Sequence, residues 1–438
     1  MIRKSLLTSL FLLLTVLSTS AQNHIRGSIK PFDGYSYALL YRMDGLEQNF
    51  VGNTSLINGA FDFEATKQGM YRVVFDLQKG VYIDVFYTGS DVSFTLDPSN
   101  PSFTVKFDNS EDNSIYYTYK LQSAMAQNQL DQTQVAYLKE PSAALKEQYL
   151  KENKELKKIQ QAALNKAKGK YIAPIIEANL RDNPDEPVDS PIAYLDFVRD
   201  HYFDHLDFNN QTVLSTDYLY TKISDFIFYL NYSQDLTVQS QLYKQAIDIC
   251  MSKINSETFR ATTLELILSQ FESQENTEMT DWVIETYYLR LPYEFQDQEF
   301  IADLKASMAT AIGAIAPDFT WEDGRFSEVY ANGPTILVFW SSSCGHCLAE
   351  IPELYRDLQE DNRFQVIAVG LEEEDVEWKR LTAKMPDWIH VLGLKKWENP
   401  IARSYNIIGT PTYFIVNPNG QIAAKPGDLT ELLELINN

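Results

Sequence analysis

After a short apolar leader, the chain passes through three textures of apolar and polar residues. Over 23–107 the runs are short and alternate. Phe61-Asp62-Phe63-Glu64 and Val92-Ser93-Phe94-Thr95-Leu96 place every second side chain on one face, the period of a half-buried strand. Asp33-Gly34 and Asn58-Gly59 punctuate these runs, and each offers a residue that tolerates positive φ. The pattern predicts a small antiparallel β domain over 22–110, suited to binding or positioning and without a catalytic constellation.

Over 111–311 the period lengthens. Leu145, Tyr149, Leu156, Ile159, Ala163 and Ala167 fall on one face of a long helix whose other faces are rich in Lys and Glu. Further helices are predicted around 218–230, 239–254, 256–271 and 279–289, with Asn183-Pro184-Asp185-Glu186-Pro187 as a loop. Lysines crowd 151–170, but Glu147, Gln148, Glu152, Glu155, Gln160 and Gln161 interleave with or flank them. That reads as a solvated helix face.

The last region, 312–438, alternates strand and helix. Thr335-Ile336-Leu337-Val338-Phe339-Trp340 is continuously apolar, as a strand covered on both faces should be. A helix over 344–358, a buried strand over 364–371 and a helix over 375–384 are predicted next. Strands at 412–416 and 421–424 flank the turn Asn417-Pro418-Asn419-Gly420, and a helix over 429–436 closes the chain.

The leader changes the picture of where this product works. Arg3 and Lys4 precede an apolar run over 6–17, and Ser18-Thr19-Ser20-Ala21 supplies small residues, the three-part layout of a secretory signal cleaved after Ala21. The run is shorter than the roughly 20 residues that span a bilayer, and no Cys follows the cleavage point. A periplasmic or otherwise extracytoplasmic protein is expected, soluble and with no membrane anchor after cleavage. Hydrophobic residues make up 45% of 438, enough for more than one packed core, and the formal charge is −23. So acidic a surface repels phosphate backbones and anionic lipid, which excludes nucleic acid as an expected partner.

Cysteine usage is sharper still. A secreted chain stabilised by disulfides carries many cysteines. This one has 3, two of them in Cys344-Gly345-His346-Cys347. A pair so close closes too short a loop to restrict the unfolded chain much, so redox exchange explains it better than stapling. A cysteine in the first turn of a helix meets unpaired N–H groups and the positive end of the helix dipole, which favour the thiolate, the attacking species. Cys344 is therefore the expected nucleophile. Cys347, one turn on and less exposed, would attack the mixed disulfide.

Four motifs, in order, resemble the extracytoplasmic thioredoxin family that includes the TlpA and ResA proteins. They are Ala316-Pro317-Asp318-Phe319, the run from Val338 through Trp340 to Cys347, Glu350 with Pro352, and Gly409-Thr410-Pro411-Thr412. The resemblance implies an α/β thioredoxin-like domain at the C-terminus, behind the antiparallel β domain and the α-helical region, the latter two being weaker matches. It implies a cis-proline loop at Thr410-Pro411 whose backbone is presented to substrate, a Trp340 that shapes the surface beside the nucleophile, and a kinking Pro352. It also implies a glutamate, Glu350, that tunes Cys347 and serves as its proton acceptor.

Gly345-His346 is the dipeptide of protein disulfide isomerases, where thioredoxins carry Gly-Pro. An imidazole there stabilises the reduced form, so both residues are expected to tune the potential. Ser343 departs from the bulky residue many relatives carry. No cofactor is expected beyond a redox-active Cys344–Cys347 disulfide. The expected partners are disulfides or thiols of exported proteins and a membrane thiol reductant. An alternative is a ligand- or partner-binding protein whose thioredoxin module is an accessory or redox sensor.

Other candidates are weaker. His201 and His205 stand four apart, a metal-ligand spacing, but no second ligand pair is evident, so no metal is expected. Cys250 sits in an apolar run and reads as a buried hydrophobe. His24 and His390 have no supporting motif.

Overall fold

The computed structural model describes residues 23–359 and 363–437. The leader of residues 1–21 lies outside the described residues. Among those described, no helix is long and apolar enough to cross a membrane. The chain divides into two compact units, the first ending at Asn255 and the second beginning at Ser256, so the helical region is shared between them.

The first unit opens with eight strands: β1 (Asn23–Ile29), β2 (Tyr37–Asp44), β3 (Glu47–Ser55), β4 (Ala60–Ala65), β5 (Gly69–Asp76), β6 (Val81–Tyr87), β7 (Val92–Leu96) and β8 (Lys106–Phe107). They form two sheets, ordered β4-β1-β7-β8 and β3-β2-β5-β6. Alternate residues do what the period of two requires. Phe61, Phe63 and Ala65 of β4, Val92, Phe94 and Leu96 of β7, and Val73 and Phe75 of β5 meet in one core. Pairing is antiparallel throughout except between β1 and β7, which run parallel. Asn58 and Gly59 take positive φ, as the turn before β4 needs.

Two long helices follow, α1 (Glu111–Lys139) and α2 (Ala143–Ala167). Each is capped by a serine, Ser110 and Ser142, whose hydroxyl accepts from the third backbone N–H onward. On the second sheet, Met43, Met70 and Phe86 pack with Ile115 and Tyr119 of α1 and Ala163 and Ala167 of α2. Buried Asn113 acts as a substitute strand partner at the edge of β6. Its Oδ1 accepts from Phe86 N at 2.8 Å and its Nδ2 donates to Phe86 O at 2.7 Å. Lysines of α2 pair with carboxylates, Lys157 with Asp185 and Lys158 with Glu155, as a solvated face would. The helix expected over 218–230 is α-helical only at Tyr218–Ser224 and continues as a π-helix over Asp225–Leu230. Helix α3 (Leu236–Lys253) completes the unit.

The second unit begins with α4 (Glu257–Ser273), α5 (Thr277–Thr286) and α6 (Gln298–Ala309). Its five-stranded sheet comprises β9 (Thr335–Trp340), β10 (Gln365–Glu372), β11 (Ile389–Leu394), β12 (Thr412–Val416) and β13 (Ile422–Ala424), in the order β11-β10-β9-β12-β13. β9, β10 and β11 are parallel, and β12 and β13 are antiparallel additions. Helices α7 (Gly345–Leu358), α8 (Val376–Thr382) and α9 (Leu429–Asn437) flank the sheet.

All six residues of β9 are buried, and the strand's period of two divides them between cores. Ile336, Val338 and Trp340 pack with Cys347, Ile351 and Leu354 of α7. Leu337 and Phe339 join Phe326, Tyr405 and Phe414 on the opposite face. A strand buried on both sides and a helix head at its C-terminal end bring the Cys-Gly-His-Cys segment to the sheet's carboxyl edge, where open α/β sheets place their chemistry.

Candidate active site

Three serines turn the chain from β9 into α7. Cys344 N donates to Ser341 O at 3.1 Å, and the hydroxyls of Ser341 and Ser343 lie 3.0 Å apart. Cys344 itself is the N-cap of α7, with extended backbone, and its sulfur accepts from Cys347 N at 3.4 Å. The cap position that usually falls to Ser, Thr, Asp or Asn is here filled by a sulfur, so the orphan N–H groups of the first turn point at the nucleophile.

The two thiols, both free, are driven in opposite directions. Partial burial disfavours the Cys344 anion. Hydrogen bonds from the Cys347 thiol and N–H, the Thr410 hydroxyl and the His346 N–H outweigh it and hold Cys344 below its ordinary value. Cys347 has 0% exposure. Its burial first, and its contact with the Cys344 sulfur second, push it up to about 12. Behind it lies a cavity of about 330 Å³ walled by Trp340, Ile351, Tyr355, Leu381 and Met385.

The Thr410-Pro411 peptide is cis, as the resemblance implies, and Thr410 O accepts the Cys344 thiol proton at 3.3 Å. Gly345 and His346 are exposed at the helix head. Pro352 lies inside α7, which remains one helix from Gly345 to Leu358. Trp340 departs from expectation: with 1% exposure its side chain offers a client no surface, and it serves as the apolar wall beside Cys347. β9 ends at this residue, and its side chain follows the strand's inward alternation.

The hydrogen bond described for the Glu350 side chain runs to a third residue and not to a cysteine. The carboxylate accepts from the Tyr413 hydroxyl at 2.9 Å, and Tyr413 packs in the same core as Cys347. Burial, then the bond to Glu350, raise the Tyr413 phenol, so it stays a donor. Nothing in the sequence singles out Tyr413 or Glu372. Glu372, 3% exposed at the end of β10, accepts from Ser342 N at 2.5 Å and Ser342 Oγ at 2.8 Å.

Elsewhere, His201 pairs with Asp204 and His205 with Asp182, at 2.6 and 2.8 Å. Asp182, His201 and Asp204 bring ligand atoms within 4.8 Å of one another. All are at least partly exposed, and each is hydrogen-bonded, Asp182 to His205 and His201 to Asp204. Cys250 is fully buried and its thiol is raised by that burial, as a small core hydrophobe should be.

Residues 332–422 match the model of the thioredoxin-like family. No curated protein matches the chain. Among solved structures it is similar to the thioredoxin domain of a thiol-disulfide oxidoreductase from Bacteroides vulgatus, at 27% identity over 29% of this chain and 99% of that one, with a TM-score of 0.26. It is similar to a thiol:disulfide interchange protein from Bacteroides sp., at 25% identity over 30% and 90%, TM-score 0.26. A third is a domain from Cytophaga hutchinsonii named as a possible thiol-disulfide isomerase, at 30% identity over 29% and 90%, TM-score 0.26. Residues 332–422 thus form a thioredoxin-like domain, at the C-terminal end of a chain that places a β domain and helices ahead of it.

Proposed function

We propose that the protein is a thiol–disulfide oxidoreductase that exchanges disulfides with other proteins outside the cytoplasm, with Cys344 as nucleophile and Cys347 as the resolving thiol. One observation carries this reading. The half-buried member of the pair caps a helix and is held toward its anion, while the fully buried member is pushed up to about 12. An anion at the surface and a protonated thiol one turn behind it are what two-step exchange needs.

In the reducing direction, the Cys344 thiolate attacks one sulfur of a client disulfide. The client S–S bond breaks as the mixed disulfide forms, and the departing client thiolate takes a proton. Cys347 then loses its proton and attacks the Cys344 sulfur, which releases the second client thiolate. Two electrons have moved from the Cys344–Cys347 pair to the client; the proton Cys344 gave up on ionising and the one Cys347 loses match the two that the client thiolates take up, and the new disulfide is returned to the dithiol by a thiol reductant, proposed to be a membrane protein. Glu350 is the proposed acceptor of the Cys347 proton, with Tyr413 fixing its carboxylate. Thr410 and Pro411 are the proposed client contact, because the Thr410 carbonyl lies 3.3 Å from the attacking sulfur. Work outside the cytoplasm is supported by the leader over 1–21.

Insulin reduction driven by dithiothreitol tests the reading. Wild type should accelerate it and Cys344→Ser should not, while Cys347→Ser should accumulate mixed disulfides on Cys344. Equal, slow turnover by wild type and Cys344→Ser refutes the reading and favours a binding protein with an accessory redox module.

A further inference from the structure

β9 and β10 run parallel, and their last paired residues are Trp340 and Gly370. Two positions further along each strand, Ser342 therefore comes level with Glu372. The ladder cannot continue there, since β9 has ended and the chain is turning into α7. In place of the backbone pairing, the Glu372 side chain reaches across, with Oε1 taking Ser342 N at 2.5 Å and Oε2 taking Ser342 Oγ at 2.8 Å.

This carboxylate is 3% exposed and has no ion pair among the described residues. A buried polar group needs partners, and both donors here come from one residue of the turn that delivers the nucleophile. Both carboxyl oxygens accept. Glu372 does not figure among the causes that shift Cys344 or Cys347. Any influence on the cysteines therefore passes through geometry. The turn has only three residues, and the bonds that favour the Cys344 anion, from Cys347 N–H and His346 N–H, depend on where that turn sets the sulfur.

We propose that Glu372 is a positioning residue for thiol exchange: by clamping Ser342 it holds the 341–343 turn so that the Cys344 sulfur faces the first-turn N–H groups of α7. The proposal rests on Cys344 being the nucleophile. Removing the clamp takes the acceptor from the half-buried Ser342 N–H and frees the turn to shift. Small misplacements at a reacting atom are costly, since about 1 Å can mean a 10²-fold loss.

The test titrates the thiolate absorbance of the reduced, full-length protein near 240 nm. Cys347 and Cys250 ionise far higher, so the first step belongs to Cys344. Glu372→Ala should move that step up by roughly half to one pH unit, a three- to tenfold loss of thiolate at pH values below the step. Glu372→Gln should stay near wild type, because its amide oxygen can accept from Ser342 N and its NH₂ can donate to Ser342 Oγ. Ser342→Ala, which loses one arm and keeps the other, should shift the step by less than Glu372→Ala, and it carries the test if Glu372→Ala does not fold. A melting temperature that falls while the step stays put in Glu372→Ala or Ser342→Ala overturns the proposal. A wild type with no step below that of a free thiol would instead remove the nucleophile assignment itself.

Discussion

At neutral pH the three cysteines should differ sharply in reactivity, and the structure sets the size of the difference. Cys347 is pushed up to about 12 from an ordinary 9.0. Below both values that means roughly a thousandfold less thiolate. The more basic anion is the better nucleophile, and with a Brønsted slope of about 0.4–0.5 three units return roughly 15- to 30-fold. The net handicap against an ordinary thiol is therefore at least roughly 30-fold. Cys344 lies below the ordinary value, which at pH 7 widens the gap. Access widens it again, since Cys347 and Cys250 have 0% exposure. Reduced protein treated with substoichiometric iodoacetamide at pH 7, then quenched and mapped by peptide mass, should carry at least about 30 labels on Cys344 for each on Cys347. The pH profile has a definite sign: a depressed value favours the anion, so the Cys344 rate should rise with pH and level off below the plateau point of a free thiol. Labelling of Cys347 within fivefold of Cys344, or a Cys344 plateau at or above that of a free thiol, would refute the reasoning.

Two further outcomes bear on the site. Glu350→Gln keeps an acceptor for the Tyr413 hydroxyl but cannot take a proton, so rapid-mixing kinetics with a chromogenic disulfide should show normal first attack and a mixed disulfide that resolves about 10²-fold more slowly; equal slowing of both steps would remove Glu350 from proton transfer. His346→Pro removes an exposed imidazole beside the nucleophile, and glutathione equilibration should give a reduction potential lower by about 30 mV or more, tenfold in the equilibrium constant. An unchanged potential would leave His346 without a tuning role.

What the residues alone convey follows their burial and their range of contact. β9 reads directly because both its faces are covered and nothing polar interrupts 335–340. β11, in the same sheet, is not legible in the sequence. It lies at the sheet edge, its burial alternates weakly, and His390 and Gly393 break any apolar run. The turn at Asn58-Gly59 is legible since positive φ selects residue types locally. The parallel pairing of β1 with β7 is not, because it joins segments some seventy residues apart and leaves no local period. The π-helical stretch over Asp225–Leu230 shares the apolar composition of an α-helix, and only backbone geometry separates them.

The candidate site divides along the same line. Apart from Thr410, the groups that favour the Cys344 anion sit within one helical turn, so spacing and the end of a strand suffice to find it. What supports that turn does not. Glu372 opens the run Glu372-Glu373-Glu374-Asp375, which by composition is a solvated acidic stretch, and the latter three are not buried. Only the parallel register, with Trp340 opposite Gly370, puts the first of these acids inside and level with Ser342. Tyr413 is likewise one apolar strand residue among several until β12 pairs with β9 and carries its hydroxyl to Glu350. A nucleophile on a helix head is a local property of the chain, whereas its supporting shell comes from neighbouring strands and inherits the long range of sheet pairing. In a thioredoxin-like sheet the acids to examine are therefore those two residues past the end of the parallel ladder, however charged their sequence neighbours are.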